Sequence, residues 1–392
     1  MSLNTQARAK NLIWGALVAD AAAMGLHWIY DQPHIRKIAP SNPEFQEPAE
    51  ANYQGVPGFF AHGNRASGEQ SQYGEQVLVM LRSLVATNGQ FDVNHYAQSF
   101  RNHFGYGGGY VGYIDHATRE TLNNFTRAED DAKACASSIP FNGDPAITTF
   151  LTGKALATTS QYGKNIVSKK FEEAIRIKYD DDSIVEYAIR ILENIQSMEI
   201  SRGARDEQFP ATAKLPPLIA ISKASDSVND SAFSTMVDAA IKVTNTHEHA
   251  ITYGQTCARL MEAAVDGKNK EAIVQASLQA SNSEVGAEIE TALAMENKTT
   301  VDVTKQFGMA CDLKFGVPSI VHNITTASSF TEAIQQNIYA GGDSCGRSII
   351  LGSVLGGLYG IGGEQGIPSA WIERLAAKTE VEDLLATALG DN

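Results

Sequence analysis

Residues able to do chemistry recur at several places in the 392-residue sequence, each beside glycines or at the expected start of a helix. The most concentrated stretch is Tyr339 to Tyr359, YAGGDSCGRSIILGSVLGGLY. Gly341 and Gly342 free the backbone for a tight turn. Asp343 and Ser344 suit an N-cap, where a side-chain oxygen accepts from a free amide. Cys345 and Arg347 then fall in a first helical turn, where amides and dipole favour a bound anion. Arg347 and the helix end are therefore candidate anion holders, with Ser344 beside them as a ligand-binding hydroxyl. A buried inert thiol is the expected state of Cys345, with activation by the helix end and Arg347 as the alternative. An ordinary capped core helix would also account for this stretch.

Three other segments supply partners. Glu75, Tyr73 and Gln76 are delivered in the first turn of a helix read over Ser71 to Val85, and Glu75 needs a second group to act as ligand or base. Asp20 and His27 lie in GALVADAAAMGLHW, seven residues apart and so near one helix face. Phe104 to Tyr113, FGYGGGYVGY, alternates glycines with tyrosines. Tyr106 and Tyr110 there could stack on a base, and Asp115 and His116 follow. His247 and His249, two apart at a helix start, match neither a helical zinc pair nor HExxH; a cap plus a surface histidine is expected.

These groups must be positioned by helices. Apolar residues recur at helical spacing over Gln6 to Trp28, Ser71 to Val85, Asn245 to Val265, Glu271 to Ala280, Glu284 to Met295, Thr300 to Phe307 and Phe330 to Tyr339. From Ile349 onward nothing is charged until Glu364, so that helix should be buried all round. Pro33 to Gly68 has no clear period and is of a kind that often covers a site. Asp180 to Asp182 read as acids at a helix start. FPATAKLPPLIAI, Phe209 to Ile221, marks a break. Alternating strand patterns are scarce, which predicts one mostly α domain over residues 1–392.

Composition narrows the function. A net charge of -14 argues against general binding to nucleic acid or anionic lipid. Cys135, Cys257, Cys311 and Cys345 form no CxxC pair and suggest neither a disulfide framework nor a zinc site. The Gly153-Lys154 dipeptide lacks the spacing of a phosphate loop. MSLNTQARAK lacks the apolar core of a signal peptide, and Ile349 to Ile361 is too short to span a bilayer. A cytoplasmic protein without membrane partners is expected.

Several pieces, in order, resemble one family. GALVADAAAMGLHW is similar to the first helix of the ADP-ribosylglycohydrolases. YGEQVLVMLRSL stands at that family's TDDT-type helix start, and GGDSCGRSIILGSVLGGLYG at its GGDTDT loop and helix. TNTHEHAI resembles its middle TH segment and IPSAW its ending, while YGEQ, KLPPL and GGDSCGRS look closer to the J1 crystallin and selenoprotein J branch. The resemblance implies an all-α, single-domain orthogonal helix bundle. It also implies a cleft in which active members hold two magnesium ions and cleave a glycosidic bond to ADP-ribose.

The metal-binding positions differ here. Tyr73, Gly74, Glu75 and Gln76 replace Thr, Asp, Asp and Thr; Cys345 replaces the second Asp of the later motif and Gly346 the following Thr. His27 falls about where some members carry a glutamate. The expectation is a divergent hydrolase of an ADP-ribosyl or related ribosyl substrate, small or protein-borne. Glu75 or Asp343 would activate water and together hold at most one magnesium ion. The alternative is a crystallin-like structural or ligand-binding protein without the dinuclear site.

Overall fold

In the computed structural model the described residues are 4–136, 144–145, 161–197, 203–225 and 229–390. Among them the fold is helical throughout, and extended pairing is confined to isolated bridges. The Gly153-Lys154 dipeptide lies outside the described residues, and nothing is described of the Cys135 side chain.

Two helices form the centre. The first, Thr5–Ala23, is capped by the Asn4 side chain and buried at every residue from Asn11 to Ala23. The second, Ser344–Tyr359, is buried from Ser344 to Gly357. Neither has a polar face, which is what a helix surrounded by protein requires. They meet through small residues. A Cβ at Gly15 would collide with the Gly352 carbonyl, one at Gly352 with that of Gly15, and one at Gly356 with that of Asn11. The backbones therefore approach more closely than larger residues permit. Helices Leu215–Ala224 and Glu248–Val265 pack around this pair, and Gln72–Ala86 lies against the first helix and Leu215–Ala224.

The first helix is shorter than its pattern predicts. It ends at Ala23, a 3-10 turn follows over Met24–Leu26, and His27 and Trp28 leave it in non-helical conformations. A Cβ at Gly25 would collide with the Gln46 carbonyl, so close packing of the following loop bends the chain away from the helix axis there. Asp20 and His27 consequently reach different partners instead of sharing a helical face. The remaining expected helices form with small shifts at their ends, including Asp182–Ser197 after the acidic run. The proline-rich segment Phe209 to Ile221 becomes two short helices, Pro210–Ala213 and Leu215–Ala224.

Candidate active site

The Gly341-Gly342 turn brings distant strands of chain together. Both glycines have positive φ, 73° and 61°, and a Cβ on Gly342 would strike the Met309 carbonyl. The turn is pinned by the Trp28 amide donating to the Gly342 carbonyl (2.8 Å) and the Gly342 amide donating to that of Ile29 (2.7 Å). The Asp343 amide donates to the Met309 carbonyl at 2.8 Å. Asp343 then caps its helix as its sequence position predicts, accepting from the Gly346 amide at 2.8 Å.

Asp343 is fully buried among groups that the spacing alone did not gather. Its Oδ1 lies 3.0 Å from His27 Nε2, and its Oδ2 accepts from the Tyr73 hydroxyl at 2.7 Å. His27 Nδ1 lies 2.7 Å from His62 Nε2. Burial pushes the Asp343 carboxyl upward, but the bonds from His27, Cys311 and Tyr73 outweigh it and hold the group below its ordinary range. Burial is the main cause that holds His62 well below the usual histidine range, and the Arg65 charge adds to it.

An ionised Asp343 accepts from His27 Nε2–H, and with a single proton on His27 its Nδ1 lone pair faces His62 Nε2–H. The chain then ends in a lone pair on His62 Nδ1, a buried atom with no protein partner. Gln72, Gln76 and Ser344 Oγ are likewise buried without protein partners, a demand for hydrogen bonds that solvent or ligand can meet.

An aromatic wall stands beside this chain. Trp28 stacks on His27 with centroids 4.1 Å apart and meets Tyr113 edge-on at 4.9 Å; Phe59 completes the group and is 54% exposed. Trp28 has φ 64°, a left-handed conformation strained for a bulky residue. It is fixed by the turn hydrogen bond, by Phe59 N–H donating to its carbonyl (3.0 Å), and by indole Nε1–H donating to Cys311 Sγ (3.2 Å).

The other candidate residues take separate places. Glu75 is clamped by Arg65 Nη2 at 3.0 Å and His103 Nε2 at 2.8 Å. Burial raises its carboxyl, yet the His103 bond and the Arg65 charge prevail and lower it. Asp20 accepts from the amide (2.8 Å) and hydroxyl (2.5 Å) of Ser71, and burial raises its pKa to about 7. Gly74 is needed there, since a Cβ would strike Asp20 Oδ2. Tyr110 lies under the Arg65 guanidinium at 4.5 Å, whereas Tyr106 is fully exposed beside an open surface groove with Arg101 and Arg119. Tyr113, the last tyrosine of that run, is the one that joins Trp28.

One expectation from the Gly341 turn is corrected. Arg347 does not open into a cleft: it is 1% exposed, its Nε donates to Asn337 Oδ1 at 2.7 Å, and its Nη2 donates to the Gly341 carbonyl. It braces the turn from within. Cys345 is fully buried with its thiol donating to the Asp20 carbonyl at 3.8 Å, and burial drives its pKa well above the ordinary thiol value. That environment is one of a buried, protonated thiol, and it leaves no activation by the helix N-terminus.

The residues present do not fit a dinuclear magnesium centre. Magnesium requires several hard oxygen ligands with free lone pairs. Here both oxygens of Asp343 and both of Glu75 are engaged, and Asp20 is bonded to Ser71. Gly346 offers no side chain because the Phe209 ring occupies that space. Among the described residues, one group of histidine and carboxylate atoms is close enough to hold a metal ion, and it lies elsewhere: Glu207, His247 and His249. The sequence signals for His62, Cys311 and Trp28 were weak. His62 and Cys311 are isolated residues in irregular segments, Trp28 closes the first helical pattern, and only the tertiary turn joins them.

Comparisons with known proteins agree with this architecture. The sequence matches the ADP-ribosylglycohydrolase family over residues 1–391. It is 23% identical to Crystallin J1A of Tripedalia cystophora over 377 residues, covering 95% of this chain and 94% of the relative. Crystallin J1B of the same organism is 24% identical over 378 residues, with the same coverage. A solved ADP-ribosylglycohydrolase-related protein complex superposes with a TM-score of 0.55 at 16% identity, over 99% of this chain and 98% of that one. The all-α fold is that of this neighbour, and the chain belongs to the ADP-ribosylglycohydrolase family.

Proposed function

We propose that the protein is a divergent ADP-ribosylglycohydrolase that hydrolyses an ADP-ribosyl or related ribosyl substrate. Its Asp343–His27–His62 chain would activate water where a dinuclear metal centre is the family's expected device. The observation that carries this reading is the unpartnered lone pair on His62 Nδ1, at the end of a chain anchored by an ionised carboxylate.

In this mechanism water gives its proton to His62 Nδ1, and His62 Nε2–H passes to His27 Nδ1. The resulting imidazolium is stabilised by Asp343, which Tyr73 and the Gly346 amide hold in place. The water oxygen bonds to the anomeric carbon as the glycosidic bond breaks, and the relay returns the proton to the departing group. Trp28, Phe59 and Tyr113 offer aromatic surface for a base. Glu75 serves as a positioning residue that fixes Arg65 and His103. A single magnesium ion between Glu75 and Asp343 would require both carboxylates to give up existing partners. As part of the same proposal, residues 1–392 act as one domain in the cytoplasm, consistent with the free thiols of Cys257, Cys311 and Cys345. No helix among the described residues is long and apolar enough to cross a membrane.

A second reading, a crystallin-like ligand-binding or structural protein, draws on a specific feature: His27, His62, Tyr73 and Asp343 are each no more than 1% exposed. Catalysis requires the loop carrying Phe59 and His62 to move. The deciding experiment incubates the protein with ADP-ribosylated proteins, ADP-ribose esters and free ADP-ribosyl nucleotides and measures released ribosyl product. Turnover supports the enzyme, whereas ADP-ribose binding without turnover supports the second reading.

A further inference from the structure

The segment Ala204 to Phe209 is fixed on two sides. The Ala204 amide donates to the Thr244 carbonyl at 2.9 Å and the Thr246 amide to that of Ala204 at 2.8 Å. On the other edge the Leu313 amide donates to the Glu207 carbonyl and the Phe209 amide to that of Cys311, each at 3.2 Å. This frame holds the Glu207 side chain against the start of helix Glu248–Val265, where His247 and His249 converge on it. Glu207 Oε2 lies 2.8 Å from His249 Nδ1 and 3.6 Å from His247 Nδ1.

We propose that Glu207, His247 and His249 form a binding site for a nitrogen-preferring divalent cation of the zinc class, separate from the Asp343 chain. Ligand atoms around a tetrahedral zinc stand roughly 3.3 Å apart, given bonds of about 2.0 Å, and the three donors already lie within 4.8 Å of one another. Two imidazoles and one carboxylate leave a fourth position open and select zinc, cobalt or nickel over magnesium. The three side chains are between 24% and 32% exposed, so an ion can enter from solvent. Glu284 Oε2 lies 3.9 Å from His249 Nε2, on the side of the ring away from Glu207. A carboxylate there orients a metal-bound histidine and strengthens it as a ligand. Lys314 approaches the other oxygen, Oε1, of Glu207 at 3.9 Å and leaves Oε2 to the ion.

The same distances would also arise from a simple histidine–glutamate ion pair. His247 Nδ1 also accepts from the His249 amide at 3.2 Å, a cap bond that a metal would displace. Titrating the full-length, chelator-treated protein with cobalt(II) separates the two. The site predicts one equivalent of cobalt with visible absorption of a four- or five-coordinate ion, displaced by zinc. His249→Gln and Glu207→Gln should each weaken binding by about 100-fold or more, and Glu284→Ala by about tenfold. His95→Gln, at an exposed histidine on another helix whose partner is Ser83, should leave binding unchanged. Circular dichroism and thermal melting identify which variants are folded, and the wild-type and Glu284→Ala titrations decide the matter if the others are not. Absence of cobalt binding, equal binding by the folded variants, or a thiolate-to-cobalt charge-transfer band would overturn the proposal.

Discussion

His27 Nε2 lies 3.0 Å from Oδ1 of Asp343, although the two residues are 316 positions apart in the chain. The Gly341-Gly342 turn makes this contact, and it places His27 between a carboxylate and a second imidazole. Removing the distal imidazole should therefore affect both chemistry and folding. His62→Ala is expected to lower kcat by about 100-fold or more, and to cost roughly 1–3 kcal/mol of stability because it leaves the buried His27 Nδ1 without its partner.

Tyr73→Phe removes one of the bonds that keep Asp343 ionised. Equilibrium urea unfolding at pH 7 should show a loss of roughly 1.5–3 kcal/mol, the range for a hydrogen bond to a charged group. Asp343 is depressed in the folded state, so its stabilisation is present above its unfolded pKa and disappears as pH falls through the folded one. In Tyr73→Phe that acid-side loss should start at the same pH, set by the unfolded state, but be complete at a higher pH and be smaller in total than in the wild type.

Asp20 gives the opposite slope. Its folded pKa of about 7 exceeds the ordinary 3.8 because the carboxyl is fully buried. Its contribution is complete below about pH 4 and is lost as pH rises to about 7, at most roughly 4 kcal/mol. Asp20→Asn should flatten the dependence of melting temperature on pH between those limits. An unchanged profile would show that Asp20 is not the titrating group.

Much of this arrangement is legible in the sequence, and the remainder has identifiable physical causes. The buried central helices follow from runs such as Ile349 to Tyr359, and Asp343 is predicted as a cap from the glycines before it. Arg347 misleads because a cation in a first helical turn ordinarily faces an anion; here the Gly341 carbonyl and the Asn337 side-chain oxygen claim it. His62 carries no periodic signal, since an irregular loop has none. Tyr106 and Tyr113 cannot be told apart by composition, because only the fold decides which one faces Trp28.

Arg347→Met should accordingly behave as a structural lesion. It is expected to cost roughly 3 kcal/mol or more through the lost charged hydrogen bonds, read by chemical denaturation. The folded fraction should retain its affinity for ADP-ribose. Weaker affinity at unchanged stability would return Arg347 to the role of anion holder.

The central claim is most directly tested by measuring release of ADP-ribose from ADP-ribosylated protein in excess EDTA, with wild type and His62→Ala side by side. The account predicts wild-type turnover that persists in the chelator and falls about 100-fold or more in the variant. Turnover abolished by EDTA, restored by magnesium and indifferent to His62 would contradict it.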